Sequence, residues 1–172
     1  MRFFIFLFFF LFNTHIFAIN VATVDLDFIL EKSSSYKTFI DKINKFIDGE
    51  TLKFQGNEII LQKNKQDLES KQSILNENEF NILKSKYNDQ LKIYQNNIND
   101  FNLLIDDNIE INKKIIIDKI IEILKEISIQ DNYDLILTNN NFLLAQNKFD
   151  ISNQVVDILN EYKILLDINN IK

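Results

Sequence analysis

Six apolar residues stand seven apart along the middle of the chain: Ile40, Ile47, Phe54, Leu61, Leu68 and Leu75. A seven-residue repeat keeps its members on one face of a helix. The positions four residues on, Asn44, Thr51, Glu58, Lys65 and Gln72, are all polar. The row thus offers one apolar residue per heptad, where a stable two-stranded coiled coil uses two. From Phe80 the seam is denser. Phe80, Leu83, Tyr87, Leu91, Tyr94, Ile98, Phe101 and Ile105 follow at spacings of three and four, and Ile109, Ile116, Ile120, Ile123 and Ile127 extend the pattern. Between Ile111 and Ile129 even the flanks of the stripe are isoleucine, so this part is expected to be buried on several sides. The spacing predicts one helix from Tyr36 to Leu75 and another from Phe80 to Ile127, folded into a hairpin of roughly 60 Å at the usual helical rise. Asn76-Glu77-Asn78-Glu79 lacks apolar anchors and is read as the tip. Gly49 and Gly56 lie inside the first helix. Each costs roughly 1 kcal/mol against alanine; they are either tolerated or loosen the arm near its root. A single hairpin with so thin a seam orders itself poorly, so oligomerisation at its root is expected.

The two ends of the chain change the pattern. Val21-Ala22-Thr23-Val24 is a β-branched run that reads as a strand, and Asp25 is placed to cap a short helix through Leu26 and Leu30. Ser33-Ser34-Ser35 breaks that helix and offers a second cap. Tyr133 to Thr138 reads as a strand, Asn139-Asn140-Asn141 as a turn and Phe142-Leu143-Leu144-Ala145 as the second strand of a β-hairpin. Asp150 or Ser152 can cap a last helix with Ile151, Val155, Ile158 and Leu159 on its apolar side. The fold class is therefore α+β: a small β-strand body built from both chain ends, with a long α-helical hairpin, a coiled-coil arm, inserted. Residues 19–35 and 112–172 are assigned to the oligomerisation body, and 36–111 to the arm with its tip near 76–79. Val21, Val24, Leu135, Ile136 and Leu137 are the candidate oligomer-body residues.

Composition adds a compartment and removes chemistry. Residues 1–18 are read as a secretory signal peptide: Arg2, a ten-residue run from Phe3 to Phe12, and Ile16-Phe17-Ala18 as a cleavage site. The run is short for a membrane span; retention as an N-terminal anchor is the alternative. The whole chain carries 19 Lys+Arg and 25 Asp+Glu. Removing Arg2 takes the net charge from −6 to about −7, which argues against nucleic-acid binding through phosphates. There is no cysteine, and the one histidine, His15, lies in the leader. The commonest metal ligands and the commonest general base are thus missing from the mature chain. No nucleophile–base constellation is visible, and Asp106 and Asp107 point in different directions on a helix. Neither an enzyme nor a cofactor is expected.

The ends of the chain resemble the Skp/OmpH family of periplasmic chaperones. The matching stretches are Asn20-Val21-Ala22-Thr23-Val24-Asp25-Leu26 with the short helix that follows, Asp131-Asn132-Tyr133-Asp134-Leu135-Ile136-Leu137, and Phe149-Asp150-Ile151-Ser152 with Val155 and Leu159. Between them lies a helical insert of the right length. The resemblance implies a homotrimer with a β-barrel-like body and three arms around a cavity, whose clients are unfolded outer-membrane proteins. The chain departs from the family's basic arms. Residues 58–92 hold six lysines and six acidic residues, and Asp100, Asp106, Asp107 and Glu110 follow without a lysine among them. That charge argues against lipid or lipopolysaccharide binding.

On this reading the chain is an ATP-independent periplasmic holdase. Leu61, Leu68, Leu75, Phe80, Leu83 and Tyr87 are the candidate client contacts, with hairpin packing as their alternative role. The competing function is an envelope coiled-coil structural or adaptor protein without client holding.

Overall fold

The computed structural model describes residues 19–168. The leader assigned to residues 1–18 therefore lies outside the described residues. Strand β1 (Val21–Val24) leads into helix α1 (Leu26–Lys32), and helix α2 (Ser34–Lys71) runs out along the arm. Helix α3 (Glu77–Gln130) returns, strand β2 (Leu135–Thr138) rejoins the body, and helix α4 (Ser152–Glu161) packs on it. The caps follow from the local sequence. The Asp25 carboxylate accepts from the Phe28 N–H at 3.0 Å, and the Ser33 hydroxyl accepts from the Tyr36 N–H at 3.3 Å. Both satisfy amides that a helix start leaves open.

The turn of the hairpin falls at residues 72–76, earlier than the predicted tip. Asn76 is the N-cap of α3, its side chain accepting from the Glu79 N–H at 3.0 Å. The polar run Asn76-Glu77-Asn78-Glu79 is a helix start: a capping side chain followed by glutamates facing the positive end of the helix dipole. Leu75 correspondingly lies in the turn, past the end of α2.

The predicted β-hairpin does not form. β2 pairs with β1, in parallel, in the register Val21↔Leu135 to Val24↔Thr138. Residues 142–145 are not a strand, and Leu143 and Leu144 are exposed. Asn139–Asn141 forms a turn of 3₁₀ helix. A tight hairpin turn needs positive φ at its centre, and the only non-glycine residue with positive φ among those described is Asn132, at 55°. Asn132 turns the chain at the end of α3, where Asn20 clamps it. The Asn20 side-chain amide donates to the carbonyls of Asp131 and Asn132, both at 3.1 Å, and its N–H donates to the Asp134 carboxylate at 2.8 Å. On its far side β1 meets the start of α4, with the Ile151 N–H donating to the Thr23 carbonyl at 3.0 Å.

The core sits where the arm joins the body. Ile116, Ile120, Ile123 and Ile127 of α3 are buried against Ala22, Val24, Ile29, Phe39, Ile43, Val155 and Leu159. The 4-3-4 spacing of those isoleucines makes one continuous stripe. Neither Asp150 nor Ser152, the predicted caps, is the N-cap of α4, which is Ile151 without a side-chain capping bond. Asp150, just before it, accepts from the Ser152 N–H at 2.8 Å. α4 is instead tied to the end of β1, its Ser152 hydroxyl accepting from the Asp25 N–H at 2.8 Å. At its other end the Lys119 ammonium lies 3.9 Å from the Tyr162 ring centre. A hydrogen bond to Glu122 is the largest influence on Lys119 and raises its pKa.

Candidate functional site

The arm carries much of the open apolar surface of the molecule, and the body adds Ile129, Leu143, Leu144 and Leu165. The row Ile40, Ile47, Phe54, Leu61, Leu68, Leu75 faces inward as predicted, Leu61 buried and the rest half-buried. Its companion row lies three residues on, not four. Ile43 is buried, Glu50, Asn64 and Lys71 are half-buried and Asn57 is exposed, while Asn44, Thr51, Glu58, Lys65 and Gln72 are all exposed. The seam is thin because this companion row turns polar beyond Ile43.

Aromatic rings compensate in the lower half. Phe101 of α3 meets Phe46 and Phe54 of α2 at centroid distances of 5.8 and 5.4 Å, and Phe54 meets Tyr94 at 6.3 Å. Their edge-on and tilted geometries are those that aromatic quadrupoles favour. Above them the Asn64 side-chain amide donates to the Gln90 side-chain oxygen Oε1 across the hairpin at 3.1 Å. A polar pair inside an apolar seam fixes register at some cost in stability. Two shallow grooves flank it. One, of about 260 Å³, is lined by Leu68, Leu83 and Tyr87 with Asp67 and Lys86. The other, of about 240 Å³, is lined by Ile60, Leu61, Ile93 and Tyr94 with Asn57 and Asn97, and has no charged residue.

Among the described residues, the ion pairs on the outer arm stay within one helix: Lys53–Glu50, Lys65–Glu69 and Lys71–Asp67. Such exposed pairs add little stability, and these do not zip the two helices together. Gly49 and Gly56 have nothing within 4 Å of the place where a Cβ would stand.

Of the candidate contacts, Leu61 is buried, Leu68, Phe80, Leu83 and Tyr87 are half-buried on the two helices, and Leu75 is half-buried in the turn. The structure brings three of them, Leu68, Leu83 and Tyr87, into one groove. The open apolar surface is carried by a different set. Leu52, Ile59, Ile60, Ile74, Ile82, Ile93 and Leu103 are each more than half exposed. They lie off the heptad rows, and that offset was the available signal. A coiled-coil hairpin packed only on itself would carry polar residues there.

A larger cleft of about 700 Å³ lies at the foot of the arm, between α1 and α2, where Asp27, Glu31 and Asp41 face Lys37 and Lys113 around Tyr36. Burial raises the pKa of Tyr36. Its charges are mixed, and no cluster of three or more metal-ligating side chains occurs among the described residues. No helix among those residues is long and apolar enough to cross a membrane.

Comparison with known proteins bears on the whole of this architecture. A family model described as "Outer membrane protein (OmpH-like)" matches residues 20–159, which takes in β1, the entire arm, β2 and most of α4. The fold is similar to the crystal structure of a candidate outer membrane chaperone (OmpH-like) from Caulobacter crescentus. The TM-score is 0.62 at 14% sequence identity, covering 84% of this chain and 85% of the other. No curated protein matches. The family match spans strand, arm and body in the order in which the structure connects them, and the chain belongs to the OmpH-like family.

Proposed function

We propose that this chain is an ATP-independent holdase of the periplasm, taking unfolded outer-membrane proteins between its arms and preventing their aggregation. The observation that carries the proposal is the set of aliphatic side chains standing off the arm: Leu52, Ile59, Ile60, Ile74, Ile82, Ile93 and Leu103. Such side chains on two helices held mainly to each other are available for contact with another chain. The half-buried Leu68, Leu75, Phe80, Leu83 and Tyr87 extend that surface at the seam, with Leu61 beneath it. The body assembles as a homotrimer through Val21, Leu135, Ile136 and Leu137, with Val24 buried in the core behind them, and the arms enclose the cavity. The protein carries out no chemical step and needs no cofactor. Export depends on the leader at residues 1–18, which is removed.

The test is aggregation of a urea-unfolded outer-membrane β-barrel protein on dilution, with and without the purified mature chain and without nucleotide. Suppression is expected. Replacing Ile59, Ile60, Ile82 and Ile93 with serine is expected to weaken holding several-fold while leaving the assembly mass unchanged. Because the arm between residues 58 and 92 carries equal numbers of lysines and acids, holding is expected to change little between low and moderate salt; contacts made by a basic arm would be screened. A parent protein that binds no unfolded client points to the structural-adaptor function. A collapse of holding at moderate salt places the contacts on the lysines.

A further inference from the structure

Beyond α4 the chain crosses the foot of the arm. Residues 163–168 run without helix or strand, and their inward side chains alternate. Leu166 is only 6% exposed, and Ile164 and Ile168 pack on the core. Leu165, between them, is exposed. The segment touches both arm helices. On α2 the Lys42 ammonium donates to the Leu166 carbonyl at 3.5 Å and lies 3.9 Å from the Asp167 carboxylate. On α3 the Asn112 side chain meets the Asp167 main chain in both directions. Its amide nitrogen donates to the Asp167 carbonyl at 3.0 Å, and its oxygen accepts from the Asp167 N–H at 3.2 Å. Asn112 is 1% exposed, on a helix whose other inward positions nearby are mostly isoleucine. A buried amide in such a place is costly unless bonded. Here it acts as one rung of a ladder for an extended segment.

We propose that residues 163–168 form a strap that ties the feet of α2 and α3 together and limits how far the arm swings from the body. Asn112 is its catch, and the site that buries Leu166 is its seat. The strap can open without unfolding the body. What holds it is one buried leucine, two flanking isoleucines, one hydrogen bond donated and one accepted by Asn112, a long hydrogen bond from Lys42 and an exposed ion pair of little worth. Leu166 shares a core cluster with the Ile116–Ile127 stripe, whose other members, among them Ala22, Val24, Ile29, Val155 and Leu159, remain when the strap leaves. The proposal concerns how the arm is attached, and it stands whether or not the arm holds clients.

The full-length protein tests this directly. The chain has no cysteine, so Ser70→Cys on the arm and Asn153→Cys on the body take spin labels cleanly. Labelled chains are diluted into unlabelled ones so that the distance within one chain is read. Asn112→Leu removes the catch, Leu166→Asp empties the seat, and Leu165→Ser is the control. Asn112→Leu and Leu166→Asp are expected to broaden the arm-to-body distance distribution. They are also expected to speed amide exchange at residues 36–50 and 100–112 about tenfold, as loss of two ordinary hydrogen bonds would. Exchange at 116–127 stays at the parent rate, and the control behaves like the parent throughout. If Asn112→Leu fails to fold, Leu166→Asp carries the test. A folded variant of either kind that keeps the parent's distances and exchange overturns the proposal. So does acceleration that is equally large at 116–127, since Asn112 or Leu166 would then be general core residues.

Discussion

The two halves of α3 use the same residue type to opposite ends. In its C-terminal half, Ile116, Ile120, Ile123 and Ile127 are enclosed by strands and helices from both ends of the chain. The flanking Ile111, Ile115, Ile121 and Ile129, expected from the sequence to be buried as well, are exposed on the single chain, because the converging elements cover only one stripe of the helix. In its N-terminal half, Ile82 and Ile93 stand in the open, and the inward positions meet a helix whose companion row is polar. Isoleucine content therefore does not distinguish the body from the arm. What distinguishes them is how many elements converge. Near the body α3 has α1, α2, α4 and β2 as neighbours, with β1 in the same core cluster; farther out it has α2 alone. One neighbour can cover one stripe of a helix and leaves the rest to solvent.

The contrast can be broken most violently by charge. Ile120→Asp places an unpaired carboxylate in a fully enclosed position. It is expected to remove more than about 4 kcal/mol of stability and prevent folding. Ile93→Asp, on the open arm, is expected to stay within about 0.5 kcal/mol of the parent in chemical denaturation. Equal losses at the two sites would erase the distinction between body and arm. The next largest effect is expected at the sheet. β2 pairs on one side only among the described residues, and Leu135 is exposed while Ile136 is half-buried. An open, apolar edge is a place where another chain docks. Leu135→Asp or Ile136→Asp is expected to reduce the proposed trimer to monomers in light scattering, with the helical content retained. A monodisperse monomer of the parent at micromolar concentration removes this prediction. The smallest effect sharpens the contrast. Gly49→Ala and Gly56→Ala meet open space, so each is expected to add about 1 kcal/mol to the arm helix. Amide exchange should slow around residues 45–60 and stay unchanged at 116–127.

Much of this layout is legible in the sequence because it is local. The caps at Asp25 and Ser33, the inward row from Ile40 to Leu68 and the isoleucine stripe each depend on neighbours within a few residues. The misreadings occur where a distant partner decides. On a helix the positions three and four away are both adjacent to a given residue. The sequence does not say whether Ile43 or Asn44 joins Ile40; the direction of the opposing helix does. Likewise β2 is recognisable as a strand from residues 133–138, but nothing near it reveals that its partner is β1, more than a hundred residues away, and that they run in parallel. Asn112 is harder still. Within an isoleucine-rich stretch it reads as a polar interruption, and its partner, the main chain of Asp167, leaves no trace in residue type. The open aliphatic set escaped for another reason. A search for rows finds what packs, and Ile59, Ile60, Ile82 and Ile93 lie off the rows.

The parallel pairing of β1 with β2 makes the whole arm a crossover connection. Asn20 and Asp134, bonded to each other, are separated by 114 positions. The first strand is synthesised long before its partner. Zipping α2 against α3 turns that long loop into a stiff connector whose two feet arrive side by side. In doing so it removes most of the search that slows sheets of distant partners. Its accuracy then matters. A slip of one heptad between the helices would displace β2 by about 10 Å, about three residues of strand, leaving at most one rung of the four-residue ladder. The Asn64–Gln90 bond, far out on the arm, is thereby part of the assembly instructions for a sheet it never touches.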